Sequence, residues 1–266
     1  MLRVRKGVVP AAGRGTRLLP ATAAVPKELL PVGLKPLLQL CLEEAAASGL
    51  EEVALVLSPG KPAIREFLEA ATRPGRPGLD SLRSALERCR PVFVEQPVPR
   101  GVADALRRAR EFTSGEPFAV LLPDNVAFAD PPPLAQMRPY LEPGLCALAL
   151  TEYRRETAGW FGNCGRVEVA PQGGPRYRVT RLHDKGSGNF RLRNGESELV
   201  GYARYVLQPW FFDFVPEAAP GGAEIDDTPI LQRIAGEGRL AGIRVEGALF
   251  DAGNPAGYAA ANRFAG

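Results

Sequence analysis

Apolar runs too short to be helices recur along this chain, and stretches with helical spacing separate them. The runs "GVVPAA" (7–12), "EEVALVLS" (51–58), "PVFVEQ" (91–96) and "FAVLLPD" (118–124) each have the length of a buried strand. Between them, "KPLLQLCLEEAAAS" (35–48), "KPAIREFLEAA" (61–71), "LDSLRSALER" (79–88) and "GVADALRRAREF" (101–112) read as helices, the first stopping at Gly49 as a C-terminal cap. Few architectures accept such alternation. It predicts an α/β fold with a mainly parallel sheet and helices on both faces, which "LCALALTEY" (145–153) continues as a buried strand.

From Trp160 to about Val206 the pattern changes to short polar-alternating strands with turn clusters "PQGGP" and "RNGE". That segment is expected to be an antiparallel insertion or small second lobe. "IDDTPILQRIAGEG" (225–238) reads as a helix entered through Asp227 or Thr228 with Pro229 in its first turn. "GIRVEGALFD" (242–251) reads as one strand, and "NPAGYAAANRF" (254–264) as a closing helix capped by Asn254. The expected organisation is a single domain over 1–266: a core of about 1–150, the antiparallel lobe of about 151–215 and closing elements of about 216–266.

Composition narrows the function. The 266 residues contain no run of about 18 apolar residues that could span a membrane. The basic start has no long apolar region behind it, so a secretory signal is not expected. Cys41, Cys89, Cys146 and Cys164 are far apart with no C-x-x-C spacing, which suits buried thiols in a reducing cytoplasm. A net charge of +3, with no basic block interleaved with aromatics, gives no reason to expect nucleic acid. His183 is the single histidine, so a Ser-His-Asp or Cys-His mechanism would rest on it alone; it reads as a partly buried strand residue without a role. Of the 33 basic residues, only Lys6, Lys27, Lys35, Lys61 and Lys185 are lysines. In so biased a chain a lysine points to a place where a compact ammonium is needed.

Polar or glycine features end four of the expected strands: Gly13 to Arg17, Gln96 with Gly101, Asp124, and Asp251. Open α/β sheets bind ligands beyond the carboxyl ends of their strands. The loop after the first strand lasts until about Lys35, far beyond the roughly 2–6 residues that a connection needs. Its "GRGTR" lacks the Walker lysine, and Leu18 stands where a dinucleotide fingerprint has its third glycine. The physics is still that of an anion cradle. Gly13 and Gly15 let backbone N–H groups approach a polyphosphate, Arg17 can grip its oxygens in a fork, and the prolines around Lys27 fix its direction.

"GRGTRLLPAT" followed by "VPKELLPV" and "KPLL" resembles the signature of the nucleotide-sugar pyrophosphorylases, and among them the bacterial UTP–glucose-1-phosphate uridylyltransferases. "EQPVPRGVADA", "LLPD", "WFG", "HDKG", "AEIDDTPIL" and "FDAGNPAGY" fall in family order along nearly the whole chain. The resemblance implies a Rossmann-like nucleotidyltransferase core with a sugar-binding lobe. It implies uridylyl transfer from UTP to α-D-glucose 1-phosphate, giving UDP-glucose and pyrophosphate with Mg²⁺, in a homo-oligomer (dimer or tetramer). Ala12, Gly13 and Gly15 would lie against the nucleotide, with Arg17 and Lys27 on its phosphates and Glu28 among the substrate-binding residues. Gln96 and Gly101 would hold the uracil. Asp124 and Asp251 would bind the metal. Gly162 and Asp184 would meet the sugar, and Lys185 its phosphate.

A sugar 1-phosphate is already an anion, so its oxygen can attack the α-phosphorus without a general base; clamping cations and a metal suffice. Ala23, Leu34, Ala103, Ala203 and "DKG" at 184–186 depart from the family pattern. They leave open a preference for dTTP or another sugar 1-phosphate, or a paralogue that binds a sugar nucleotide without turnover. A glycosyltransferase is disfavoured, since no Asp-x-Asp occurs.

Overall fold

The computed structural model describes residues 2–162, 165–184, 192, 197–218, 221 and 223–266. In chain order the strands are β1 (Lys6–Pro10), β2 (Pro31–Val32), β3 (Lys35–Pro36), β4 (Glu52–Leu57), β5 (Arg90–Glu95), β6 (Phe118–Leu121), β7 (Asn125–Phe128), β8 (Cys146–Arg154), β9 (Val167–Pro171), β10 (Arg176–Leu182), β11 (Ser197–Leu207), β12 (Leu240–Arg244) and β13 (Ala248–Asp251). The α-helices are α1 (Ala21–Ala24), α2 (Leu37–Ala47), α3 (Pro62–Thr72), α4 (Asp80–Arg88), α5 (Val102–Arg108), α6 (Arg110–Thr113), α7 (Pro133–Met137), α8 (Thr228–Gly236) and α9 (Pro255–Ala265).

Each short apolar run forms a strand whose successive residues serve opposite faces of the sheet. Val9, Leu55, Leu57 and Leu121 pack on one face with Leu38 and Leu42 of α2, Ile64 of α3 and Leu82 of α4. Val8, Val56, Phe118 and Val120 pack on the other with Leu106 of α5 and Ile230 and Ile234 of α8. Burial on both faces is why these strands read as continuous rather than alternating.

Among the described residues, nine strands form one sheet in the order β5-β4-β1-β6-β11-β8-β12-β10-β9. β5, β4, β1 and β6 are parallel. β11 runs antiparallel to β6 and β8, β12 is parallel to β8, and the β9–β10 hairpin closes the edge antiparallel to β12. The expected antiparallel insertion is therefore present and continuous with the main sheet. The chain order reverses beside β1, with β4 and β5 on one side and β6 on the other. A crevice at such a switch point is where open α/β sheets place ligands.

"GIRVEGALFD" differs from its expected form as one strand. It divides into β12, which stays in the main sheet, and β13, which leaves to pair with β7. Gln136 causes the departure. Its side-chain amide donates to the Glu246 carbonyl and accepts from the Glu246 N–H, both at 2.8 Å, standing in for a neighbouring strand. Gly247 then turns at φ +134°, where an added methyl would lie 2.6 Å from the Ala129 Cβ. The helix expected over 101–112 divides at Ala109 into α5 and α6. Asn254 caps α9 as expected, accepting from the Gly257 N–H. Asp227 precedes α8, with a proline in the first turn, but its carboxylate makes no capping bond.

Candidate active site

The chain leaves β1 at the switch point and folds back on itself. Gly15 sits at φ +69°, and a methyl there would press on Thr22 and Lys27 at 3.1 and 3.2 Å. That close approach and left-handed backbone call for glycine. Thr22 Oγ1 donates to the Gly15 carbonyl at 2.8 Å and tightens the turn. Lys27 begins a single 3₁₀ turn after Pro26, and its Nζ donates to Asp124 Oδ2 at 2.7 Å.

Asp124 and Asp251 come from different strands to one place. Asp124 immediately precedes β7, and Asp251 ends β13, paired in register with Asn125. A methyl at Gly253 would lie 2.6 Å from Asp124 Oδ2 and 2.9 Å from Asp251 Oδ1, so both carboxylates face the same spot. The Gly253 and Gly162 amides donate to Asp251 at 2.9 and 3.0 Å. Arg17 Nη2 lies 4.0 Å from Asp124 Oδ2.

The electrostatics follow from burial and charge. Burial pushes the Asp124 carboxyl up, but Lys27 outweighs it and holds the pKa down at about 2. Burial likewise opposes the Lys27 ammonium, yet Asp124 and Glu28 hold it above the ordinary lysine value. Asp251 is raised, first by burial and then by the charge of Asp124. Two carboxylates that resist joint ionisation are arranged to receive positive charge.

These groups open on a cavity of about 800 Å³, lined by Ala12, Gly13, Arg17, Lys27, Gln96, Gly101, Asp124 and Asp251 among others. That volume falls within the roughly 300–1,000 Å³ of small-molecule sites. Gly101 takes φ +95°, and a methyl on it would lie 2.5 Å from the Ile225 carbonyl. The Ala103 N–H donates to that carbonyl at 3.0 Å, and the Ile225 N–H to Arg100 at 2.7 Å. These bonds fasten the Gly101 loop to the segment entering α8.

Other expected site residues lie elsewhere. Gly15 shapes the loop from behind. Glu28 is fully buried, with Oε2 on Lys61 at 2.7 Å, and does not line the cavity. The Gly162 amide faces Asp251. Asp184 is exposed and accepts from Gln232 of α8 at 2.9 Å. Lys185 lies outside the described residues. His183 is paired with Glu168 at 2.8 Å and does not line the cavity, although Leu182 before it does.

The departures from the family pattern also sort by position. Ala103 is fully buried in the first turn of α5, facing the core, and Leu34 is fully exposed at the β2–β3 turn. Ala203 lines the main cavity with Gly201 and Tyr205. Ala23 lines an adjoining cavity of about 510 Å³ that shares Ala12, Gly13, Arg14 and Lys27 with the first.

Sequence reasoning assigned no role to two buried cations. Lys61 donates to the Ala11 carbonyl and to Glu28, both at 2.7 Å, tying the exit of β1 to the residue after Lys27. Its rarity as a lysine was the available signal. Arg204 of β11 pairs with Glu44 of α2 at 2.6 and 2.9 Å. It also donates to the carbonyls of Leu122 and Asn125, which flank Asp124, at 3.1 and 2.8 Å. No local pattern marks it. Arg14 and Arg100 add two further cations to the cavity wall.

A family profile described as nucleotidyl transferase matches residues 6–266. Curated relatives include a UTP–glucose-1-phosphate uridylyltransferase and a UTP–glucose-1-phosphate uridylyltransferase 2, from two staphylococci. The one from Staphylococcus epidermidis is 30% identical over 268 positions, covering 97% of this chain and 91% of its own. The one from Staphylococcus saprophyticus is 31% identical, with 97% and 90% covered. A solved UDP-glucose pyrophosphorylase, complexed with UDP-glucose, is 29% identical with a TM-score of 0.83 and 98% of each chain covered.

Proposed function

The chain belongs to the nucleotidyl transferase family, and from that premise we propose that it transfers the uridylyl group of UTP to α-D-glucose 1-phosphate, giving UDP-glucose and pyrophosphate. The observation that carries the reading is the convergence of Lys27, Asp124 and Asp251 on a cavity at the sheet's switch point.

The chemistry needs positioning and charge more than proton transfer. The anionic oxygen of the sugar phosphate attacks the α-phosphorus in line, and pyrophosphate leaves. The backbone at Ala12, Gly13 and Gly15 gives the triphosphate room to approach, and Arg17 and Lys27 clamp its oxygens. Glu28, held by Lys61, braces Lys27 from behind. Gln96 and Gly101 hold the uracil. Gly162, Asp184 and Lys185 are assigned to the sugar phosphate on family resemblance. Asp124 and Asp251 fit a divalent cation, Mg²⁺ by preference, because they face one spot and Asp251 resists ionising beside Asp124 without added positive charge. No cluster of three or more His, Cys, Asp or Glu forms a metal site among the described residues. Two carboxylates completed by phosphate oxygens and water are the set that Mg²⁺ takes. When bound, the ion would neutralise charge on the phosphates and align them.

The setting we propose is the cytoplasm, as a homo-oligomer. Cys41, Cys89 and Cys146 are buried free thiols, each pushed up to about 12 by burial, which suits a reducing compartment. No described helix is long and apolar enough to cross a membrane.

The test is pyrophosphate release with glucose 1-phosphate and Mg²⁺, offered UTP, dTTP, CTP, ATP or GTP in turn. Fastest turnover with UTP is expected. A preference for dTTP moves the assignment to thymidylyl transfer, and no release with any nucleotide or sugar phosphate overturns the enzyme reading.

A further inference from the structure

Gln96 leaves β5 for the cavity wall, where only 2% of its surface remains exposed. Two acceptors hold its amide nitrogen: Asp104 Oδ2 at 2.7 Å and the Gly101 carbonyl at 3.2 Å. Both N–H donors are thereby engaged, while Oε1 accepts no hydrogen bond among the described residues. Asp104 lies fully buried in the first turn of α5, and its Oδ1 accepts from Arg107 Nη2 at 2.7 Å. Burial opposes its charge, but the bonds from Gln96 and Arg107 keep its carboxyl below the ordinary aspartate range. An ionised carboxylate can only accept. A flipped Gln96 would set its carbonyl against two acceptors and leave both unsatisfied.

We propose that Asp104 is a specificity-determining positioning residue: by fixing the Gln96 amide it makes the group facing the cavity a carbonyl oxygen, which selects a base with a ring N–H donor. Uracil and thymine offer N3–H to that oxygen. Cytosine presents a lone pair at N3 and is repelled. This inference rests on the base-binding role proposed above for Gln96, and it adds what sets the direction of that contact. A site built around a hydrogen bond rejects a ligand unable to make it more strongly than an apolar pocket rejects a missing methylene.

Asp104→Asn tests the inference, because asparagine keeps the shape but replaces one of the two oxygens, to which Arg107 and Gln96 separately donate, with an amide nitrogen that only donates. The ratio of kcat/KM for UTP to that for CTP should fall about ten- to hundredfold, through a higher KM for UTP and a gain with CTP. An equal loss with both nucleotides would show Asp104 to be merely structural and overturn the proposal. Arg107→Ala, at a partly exposed position, covers the case of an unfolded Asp104→Asn protein. It loosens Asp104 and should shift the same ratio in the same direction by a few-fold; an unmoved ratio counts against the idea. Wild-type enzyme that uses CTP as well as UTP also overturns it. Gln96→Ala separates the two levels: an unchanged KM for UTP in that variant removes the base-binding role itself, whatever Asp104 does.

Discussion

Lys27 and Asp124 form a pair in which each sustains the charge of the other inside the protein. Lys27→Ala should lower kcat about 10²–10³-fold in pyrophosphate release, the usual cost of losing one well-placed donor to a developing charge. A fall below tenfold would mean that Arg17, 4.0 Å from the same carboxylate, does most of the clamping. Arg204 and Glu44 are a different pair, remote from solvent and braced on the backbone around Asp124. Arg204→Met strands a buried Glu44 and should cost about 3–5 kcal/mol in urea unfolding, with much of it recovered in Arg204→Met/Glu44→Leu. A double variant no better than the single one would show that the backbone bonds, not the ion pair, carry the stability. The sequence made Asp124 readable because it closes an apolar strand run, and Lys27 because it is a rare lysine framed by prolines in a short motif. Arg204 was unreadable because its partner lies 160 residues away, and Lys61 because Glu28 lies 33 residues away.

The strands and helices that pack by local pattern emerged as the sequence foretold. β1, β4, β5 and β6 carry unbroken apolar runs, and α9 carries its own asparagine cap. The run over 242–251 failed for a physical reason. Its apolar residues continue past Gly247 with no clear stop, while the partner that holds the break, Gln136, lies 110 residues earlier. Gly247→Ala should lower the melting temperature, since a methyl there meets Ala129 on a backbone at φ +134°. The same variant should weaken activation by the divalent cation, because β13 carries Asp251. Unchanged melting and metal titration would mean that the strand break is not held in place by this glycine.

Across the whole molecule, acid should be more damaging than mild base. Asp104 and Glu43 have native pKa values below their ordinary 3.8 and 4.5; burial opposes this, and Gln96 with Arg107, and Lys35 with Gln39, outweigh it. The stability they contribute is present above those ordinary values and is lost as pH falls through the lowered native ones. Melting temperature should therefore hold near neutrality and decline below about pH 4.5. Glu43→Gln should flatten part of that decline, and an identical acid limb in the variant would assign it to other carboxylates. The half-exposed Glu116 and Glu152, paired with exposed arginines, add little, being screened by water. One further consequence comes from the short ribbon of β7 and β13. Asp251 is cross-strand neighbour to Asn125, so the span between the two acidic groups is one rung of a ladder. Lys27 belongs to neither rail. The ribbon therefore sets the spacing of the two carboxylates, and the opening loop adds a cation to the Asp124 end of a gauge already fixed.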